Sequence, residues 1–202
     1  MRYSFVIVSA LALSATLGQT RPPASATEAM YQQATESAQR KLDHIAANAK
    51  INPPDQTPTT MTEREINTYL NSGRVRLPKG VSHLVLKGTP GMIDGAAQVD
   101  FDAITAGKRN SNPLLMLFSG VHEVAATAHA NGSGHTGHVH IDSGAIDGVS
   151  VPRPALEFFL SRYLSPKYPG IGLDSTFQLP ERIDIAQVGE HSLTVTQKAT
   201  DH

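Results

Sequence analysis

The chain has 202 residues, a formal net charge of −1 and no cysteine. The near-zero charge argues against a nucleic-acid partner, and the lack of cysteine excludes disulfides and lipid attachment through a cysteine. A chain of this length suits one domain whose core needs no covalent crosslinks.

The N-terminus has the order of a secretory signal peptide. Arg2 supplies the cationic start, Phe5 to Leu17 is apolar, and Ala24-Ser25-Ala26 is a small-residue exit. The apolar stretch is shorter than the roughly 20 residues that span a bilayer. We therefore expect residues 1–26 to be a signal peptide and the protein to be periplasmic or secreted. The alternatives are an earlier cut near Gly18 to Thr20 and a retained helical anchor.

Residues 27–59 are expected to form an N-terminal helix and a linker. From Glu28 to about Ala49, small and apolar side chains recur at helical spacing along one narrow stripe, which predicts a weakly docked helix. The segment from Ile51 to Thr60 is rich in proline and threonine, a composition typical of a linker.

A second helix is predicted from Glu63 to Asn71. Thr60 and Thr62 each precede a glutamate by three residues, a spacing at which each side chain bonds to the backbone N–H of the other and starts a helix. Gly73 is suited to end this helix in a left-handed conformation. Its buried face is predicted to contain Ile66, Tyr69 and Leu70.

Beyond Pro78 the hydrophobic period changes from about 3.6 to 2, which predicts antiparallel hairpins with one dry and one wet face. In the second hairpin Asn131-Gly132 is predicted as the turn, so that Ala130 pairs with His135. The side chains expected on the dry face are Ser82, Leu84, Leu86, Ile93, Gly95, Ala97, Val99, Phe101, Val124, Ala126, Ala128, Ala130, Val139 and Ile141.

The C-terminal part is expected to add a helix and a hairpin. The best amphipathic helix of the chain runs from Pro154 to Leu164, and Leu114 to Phe118 is either a short helix or a buried crossover. The final hairpin is predicted to place Ile183 and Ile185 against Leu193 and Val195. Residues 60–202 are therefore expected to form a single α+β domain, with antiparallel hairpins and helices segregated to one face.

The sequence contains no recognisable catalytic motif, and we predict that the protein is not an enzyme. Gly132, Gly134 and Gly137 spell G-x-G-x-x-G, but a strand rather than a helix follows, which favours a hairpin turn over a dinucleotide site. No nucleophile elbow, phosphate loop or zinc-protease helix occurs. The carboxylates of the first hairpin face water, where they do little acid–base chemistry.

Three histidines, His129, His138 and His140, are predicted on one side of the second hairpin, with Asp142 nearby. Zinc and copper accept such donors. The other interpretation is a solvated sheet face, which we favour because the sequence supplies no dry pocket and no groups that would orient the imidazoles. No metal or other cofactor is therefore predicted.

A short basic strip, formed by Arg74, Arg76 and Lys79, follows the second helix. A solvated run of charge is the favoured interpretation of this strip. The alternative is contact with an anionic head group.

The dry face is unusual in its small side chains. Glycine and alanine stand opposite helices that carry leucine and phenylalanine, which leaves space between sheet and helix. Close helix packing fills this space in one interpretation. In the other it stays open as an apolar groove for a lipid chain.

Two groups of short motifs resemble known envelope proteins. The run Thr62-Glu63-Arg64-Glu65-Ile66-Asn67 with Leu70, followed by a strand hairpin, resembles the start of the YceB-like periplasmic lipoproteins. The later motifs are similar to the LmeA-like phospholipid-binding envelope proteins. They are Asn112-Pro113-Leu114-Leu115, Gly148-Val149-Ser150-Val151-Pro152 before a helix, and Leu179-Pro180 before Ile183.

The resemblance implies a tubular lipid-binding-like half-barrel, in which a curved antiparallel sheet wraps around a long amphipathic helix and leaves an apolar channel. It also implies periplasmic binding or transfer of a lipid or other apolar ligand. The chain departs from the first group in lacking the lipobox cysteine, so membrane tethering does not carry over. Its extra N-terminal helix has no counterpart that we can name.

From these patterns and the resemblance, we expect a monomer that binds a lipid or acyl chain, contacts membranes transiently and binds no nucleic acid. Two alternatives stay open: an envelope protein–protein interaction module with a filled core, and a metal-binding protein that uses the histidine hairpin. The residues expected to line the ligand site are Ile66, Tyr69, Leu84, Leu86, Phe101, Phe118, Phe159, Leu160 and Tyr163.

Overall fold

The computed structural model describes residues 25–105, 119–161, 165, 170 and 172–199. These residues form an α+β fold with one open, nine-stranded antiparallel sheet and four α-helices. The helices are α1 (Ala26–Asn48), α2 (Glu63–Asn71), α3 (Phe101–Thr105) and α4 (Arg153–Phe159). The strands are β1 (Thr59–Thr62), β2 (Val81–Thr89), β3 (Met92–Asp100), β4 (Val121–Ser133), β5 (Thr136–Ile146), β6 (Val149–Ser150), β7 (Asp174–Gln178), β8 (Ile183–Gly189) and β9 (Ser192–Gln197).

The long strand β4 organises the sheet. One edge of β4 pairs with β5, which in turn pairs with β6 and β7. The other edge pairs with β3 from Val121 to His129 and then with β8 at Asn131 and Gly132. Two hairpins, β2–β3 and β8–β9, therefore meet along a single edge of β4.

The predicted dry face is confirmed where the strands lie side by side. Leu86 pairs with Gly95, Gly95 with Ala126, and Ala126 with Gly144, so one row crosses β2, β3, β4 and β5. Leu156 of α4 packs onto this row at Gly144, where an added Cβ would lie 2.8 Å from Leu156 Cδ2. Small residues thus allow a helix to approach the sheet at this point.

The turn between β4 and β5 is not the predicted one. Ala130 pairs with Val139 instead of His135, and the chain reverses at Gly134 and His135, whose φ angles are +57° and +61°. Positive φ at both central positions gives a tight turn whose twist matches that of the strands. Gly132 lies within β4, and an added Cβ there would come within 2.9 Å of a Cβ in β8. This glycine therefore permits a close approach of strands and does not form the turn.

A bulge in β2 interrupts the predicted alternation. Ser82 pairs with Gln98 and Val85 with Ala96, so β2 carries one more residue than β3 between these two pairs. His83, in the bulge, has a φ of +52°. The prediction that Ser82 lies on the dry face is therefore wrong, because its partner Gln98 belongs to the wet face.

The final hairpin is confirmed, but its register differs from the prediction. Leu193 pairs with Val188 and Val195 pairs with Ala186. The isoleucines expected in these places pair further along β9, after an irregularity in β8, and Ile185 is 45% exposed. Alternation alone did not predict this irregularity, because the irregularity does not change which residues of β8 are apolar. It changes only the residues of β9 with which they pair.

Three short strands were not predicted. β1, which begins in the expected linker, pairs with β9, while β6 and β7 pair with β5. All three are short, and threonine, serine and other polar residues dominate them. Their pairing is therefore decided by contacts distant in sequence and not by a local apolar pattern.

Helix α1 is anchored through buried amides as well as its thin apolar stripe. Asn48 Nδ2 donates to Gln197 Oε1 at 2.8 Å and to the carbonyl of Asp55 at 2.7 Å. Gln197 Nε2 donates to the carbonyls of Ile45 at 2.8 Å and Glu181 at 2.6 Å. Both amide side chains belong to residues only 4% exposed. The prediction that this helix docks weakly considered only its apolar stripe and not these polar contacts.

Of the helix that the sheet is expected to wrap around, the structure describes the part that forms α4. It begins at Arg153, after Pro152 as its N-cap, one residue before the predicted start. Residues 162–164 of the predicted helix lie outside the described residues, as do residues 1–24 and the predicted segment Leu114 to Phe118.

Candidate functional site

Helix α2 lies along the edge of strand β2 that is not paired with β3. The Leu86 N–H donates to Asn67 Oδ1 at 2.8 Å, and Asn67 Nδ2 donates back to the Leu86 carbonyl at 2.8 Å. One turn later, Asn71 Nδ2 donates to the Leu84 carbonyl at 2.6 Å. Side chains of α2 therefore take the place of a neighbouring strand, which protects this edge from unwanted pairing.

The spacing of these contacts follows from helix and strand geometry. Four helical residues rise about 6 Å, close to the roughly 6.7 Å covered by two strand residues. Side chains spaced by four along α2 therefore reach alternate residues of β2. Glu63, four residues before Asn67, continues the series, because its Oε2 accepts from the Gly88 N–H at 3.2 Å. The helix is thus fixed parallel to the edge and forms one wall of the adjoining surface.

The N-terminus of α2 is tied to the β8–β9 turn by a charged pair. His191 Nδ1 lies 2.8 Å from Glu63 Oε2, and the Glu63 N–H donates to the His191 carbonyl at 2.8 Å. The hydrogen bond to Glu63 raises the pKa of His191, and the charges of Glu63 and Glu190 act in the same direction. The same hydrogen bond lowers the pKa of Glu63.

We expect His191 to titrate at a higher pH in the native protein than in a Glu63→Gln variant. Because folding raises the pKa of His191, the pair stabilises the fold fully below the ordinary value of 6.5 and is lost as the pH rises through the raised value. Histidine ring resonances followed by NMR across this range measure the difference. An unchanged His191 titration in Glu63→Gln would contradict the pair.

A groove of about 700 Å³ opens between the end of α2, the following loop and the start of β2, with α1 contributing one residue. This volume is within the range of about 300–1,000 Å³ typical of small-molecule sites. The apolar or aromatic side chains that line it are Tyr31, Leu70, Val75, Leu77, Val81 and Val85. The other lining residues are Asn67, Thr68, Asn71, Gly73, Ser82 and His83.

A second depression, of about 300 Å³, continues from this groove across the outer face of the sheet. Val85 lines both and is 44% exposed. Its cross-strand neighbours in successive strands are Ala96, Ala125 and Ala145. The outer face, predicted to be wet, therefore carries one apolar row beside its polar residues.

Two of the predicted ligand-lining residues meet in a different place. Ile66 of α2 and Leu86 of β2 line an apolar cavity of about 90 Å³ together with Ile93, Val188 and Leu193. This volume is well below the roughly 300 Å³ at which small-molecule pockets begin. The two residues therefore belong to a small packing cavity between α2 and the sheet.

The other described members of the predicted site are dispersed. Tyr69 Oη donates to Gln39 Oε1 of α1 at 2.9 Å, and Leu84 lies in the β2 bulge. Phe101, predicted to continue the alternation of the strand, begins α3 instead and is 2% exposed, and Leu160 is half-buried just after α4. Outside the described residues lie Phe118, Tyr163 and the side chain of Phe159.

The histidine hairpin forms carboxylate pairs on the outer face. His129 and His140 are cross-strand partners and share this face with His138, as predicted. His129 Nδ1 lies 2.8 Å from Asp142 Oδ2, and His140 Nδ1 contacts Asp174 Oδ1. In the part of the chain that the structure describes, no three side chains of His, Asp or Glu are arranged to hold a metal ion.

Sequence reasoning missed most of the groove. The loop Arg74-Val75-Arg76-Leu77 was interpreted only through its charges, although Val75 and Leu77 line the groove. The alternation along β2 predicts Val85 on the wet face, opposite Leu84 and Leu86, and indicates no binding role for it. The sequence did contain a signal for the groove, since Val75 and Leu77 put an apolar residue at every second position of this loop. Such a pattern indicates that one side of the loop is covered.

No family model matches the chain, and neither a curated protein nor a solved structure matches it. Within the described ranges, no helix combines the length and the hydrophobicity needed to cross a membrane.

Proposed function

We propose that this protein binds a lipid or another apolar ligand, without catalysis, in the groove between α2 and β2. The observation that supports the proposal is an open groove of about 700 Å³ with six apolar or aromatic side chains in its lining. Each buried methylene contributes about 0.8 kcal/mol before ordering costs are subtracted. A long acyl chain therefore supplies useful affinity with no cofactor.

The proposal includes the cellular setting expected from the sequence. The protein is exported by the signal peptide at residues 1–26, acts as a monomer in the periplasm or outside the cell, and contacts membranes transiently. The YceB-like and LmeA-like motifs support the same ligand class. A sheet wrapped around a long amphipathic helix also belongs to the proposal, with α4 as the first turns of that helix.

Native mass spectrometry of untagged protein, followed by organic extraction, is expected to find a bound apolar ligand. Val85→Glu places a charge in the groove and should remove the ligand while circular dichroism stays native. Val149→Glu is the matched control, because Val149 is 70% exposed and does not line the groove. It should retain the ligand.

A third variant distinguishes binding in the groove from binding at the site that the family resemblance implies. Leu160→Glu alters the predicted helix–sheet site and should leave binding intact. If Leu160→Glu loses the ligand while Val85→Glu retains it, the ligand binds at the helix–sheet site and not in the α2–β2 groove. Protein that is empty and takes up no added fatty acid would overturn ligand binding and favour the interaction-module alternative.

A further inference from the structure

His122, at the start of β4, lies between two hydrogen-bond acceptors. Its Nδ1 is 2.6 Å from Asp147 Oδ2, and its Nε2 is 3.0 Å from the Ser119 carbonyl oxygen. A neutral imidazole has one N–H and one acceptor nitrogen, whereas an imidazolium has two N–H groups. Only the protonated ring can donate to both partners, because in the neutral ring one nitrogen lone pair faces an acceptor. The surroundings of His122 therefore favour the imidazolium.

His191, in the β8–β9 turn, lies in the same kind of arrangement. Its Nδ1 is 2.8 Å from Glu63 Oε2, and its Nε2 is 3.2 Å from Glu190 Oε1. Both ring nitrogens thus face carboxylate oxygens, and again only the imidazolium donates to both. Lys87 of β2 disfavours a proton on this ring, but the two carboxylates outweigh it, since the pKa of His191 is raised.

Each of the two histidines joins a turn to a neighbouring element. His122 connects the β5–β6 turn, through Asp147, with the start of β4. Its ring also packs edge-on against Phe101 of α3, with the ring centroids 5.7 Å apart. His191 connects the β8–β9 turn with the N-terminus of α2 through Glu63. The two arrangements share no residue, so one can loosen while the other stays intact.

We propose that His122 and His191 form two pH-sensitive latches, which hold the β5–β6 turn to β4 and the N-terminus of α2 to the β8–β9 turn. Each latch is closed when its imidazole is protonated and opens when the ring becomes neutral. The switch is independent of the proposed function, since neither histidine lines the groove.

The groups around each ring set the pH range in which the latches are closed. The hydrogen bonds to Asp147 and to the Ser119 carbonyl raise the pKa of His122, and the charge of Asp102 in α3 acts in the same direction. Because folding raises both histidine pKa values, the latches are fully closed below the ordinary value of 6.5 and open as the pH rises through the raised values.

The carboxylates set the acid limit of this range. The hydrogen bond with its histidine lowers the pKa of Asp147 and likewise that of Glu63. Because folding lowers these pKa values, the contribution of each carboxylate is complete above its ordinary value, 3.8 for Asp147 and 4.5 for Glu63, and is lost only as the pH falls further. Both latches are therefore closed in mildly acidic solution.

Amide hydrogen exchange, followed by NMR on the native, untagged protein at about pH 6 and about pH 8, tests the latches. The rates are corrected for the pH dependence of chemical exchange. The reporting amides are the Glu123 N–H, which donates to Asp147 Oδ1 at 2.9 Å, and the Glu63 N–H, which donates to the His191 carbonyl at 2.8 Å. Amides near Ala126, in the centre of β4, should keep the same protection at both pH values.

We expect both reporting amides to exchange at least about threefold faster at the higher pH. Each latch binds one proton, so its opening changes by at most about tenfold per pH unit, and the partial exposure of the pairs keeps the effect below that limit. Equal corrected rates at the two pH values would overturn the latches. An equal change throughout the sheet would also overturn them, because it would indicate a global change in stability.

Asparagine variants of the two histidines serve as controls for each other. His122→Asn and His191→Asn keep a side-chain N–H donor but cannot gain a proton in this range. Each variant should lose the pH dependence of its own reporting amide and retain that of the other. Loss at both amides in a single variant would overturn the two separate latches. If a variant does not fold, the histidine titrations of the native protein decide, and a His122 pKa of 6.5 or below overturns its latch.

Discussion

Replacing Glu65 with glutamine is expected to lower the free energy of unfolding by about 3 kcal/mol at neutral pH, because it breaks a nearly buried ion pair that joins the first two helices. Lys41 Nζ lies 2.7 Å from both Glu65 carboxylate oxygens, and the Ser37 hydroxyl donates to Oε1 at 2.6 Å. The Thr62 N–H donates to Oε2 at 2.7 Å. The Glu65 side chain is 9% exposed, so little water replaces these contacts when the charge is removed.

The same pair makes stability depend on pH. Burial alone would raise the pKa of Glu65, but the Lys41 ammonium, the Ser37 hydroxyl and the Thr62 N–H lower it from 4.5 to about 2. Because the folded-state pKa is lowered, the stabilisation is complete above about pH 4.5 and is lost as the pH falls towards 2. A difference of this size corresponds to about 3 kcal/mol.

Urea unfolding followed by circular dichroism checks this prediction, since the chain has no tryptophan for fluorescence. The stability of the native protein should fall between pH 5 and pH 3, and that of Glu65→Gln should fall much less. Glu36→Gln is the control, because Glu36 is exposed on α1. It should change stability by less than about 0.5 kcal/mol. Parallel pH profiles for the native protein and Glu65→Gln would refute the role assigned to the pair.

Replacing Gly80 with alanine is also expected to cost about 3 kcal/mol, as the sum of a backbone and a steric effect. Gly80 has a φ of +85° in a turn closed by the Val81 N–H and the Pro78 carbonyl at 3.0 Å. An added Cβ would lie 2.7 Å from the carbonyl oxygen of Asp100. That oxygen cannot easily retreat, because the Asp100 N–H donates to the Gly80 carbonyl at 2.7 Å.

Gly73→Ala separates the two effects. Gly73 ends α2 with a φ of +80°, but no atom lies within 4 Å of an added Cβ. Its replacement should therefore show the backbone cost alone, about 1–2 kcal/mol. If the two alanine variants unfold at the same urea concentration, the approach of β3 to the turn is looser than the distances indicate.

Local signals in the sequence predicted local structure well. The predicted start of α2 at Glu63 is confirmed. Of the two threonines that precede a glutamate by three residues, Thr62 is the one whose capping contacts with Glu65 are present in both directions. Gly73 has the positive φ expected after the helix. These features depend on residues within a few positions of one another, so the chain needs no distant partner to specify them.

The candidate site was less accessible to sequence reasoning. Ile66 and Leu86 lie on facing elements, and the cavity that they share is small. The larger groove depends on Tyr31 of α1 meeting a loop more than forty positions away. No periodicity within either segment predicts that contact. It depends on how α1 packs against α2, where Tyr69 Oη donates to Gln39 Oε1 at 2.9 Å and Lys41 Nζ donates to Glu65.

The sequence by itself determined helices α1 and α2, the three main hairpins and most of the apolar face of their strands, since period and capping are properties of neighbouring residues. Tertiary structure alone decided the register of β4 against β5, the addition of the short polar strands, and the position of α2 on the edge of β2. These depend on hydrogen bonds and close approaches between residues far apart in the chain. A hydrophobic pattern indicates which face of an element will be buried, but it does not specify which other element will pack against that face.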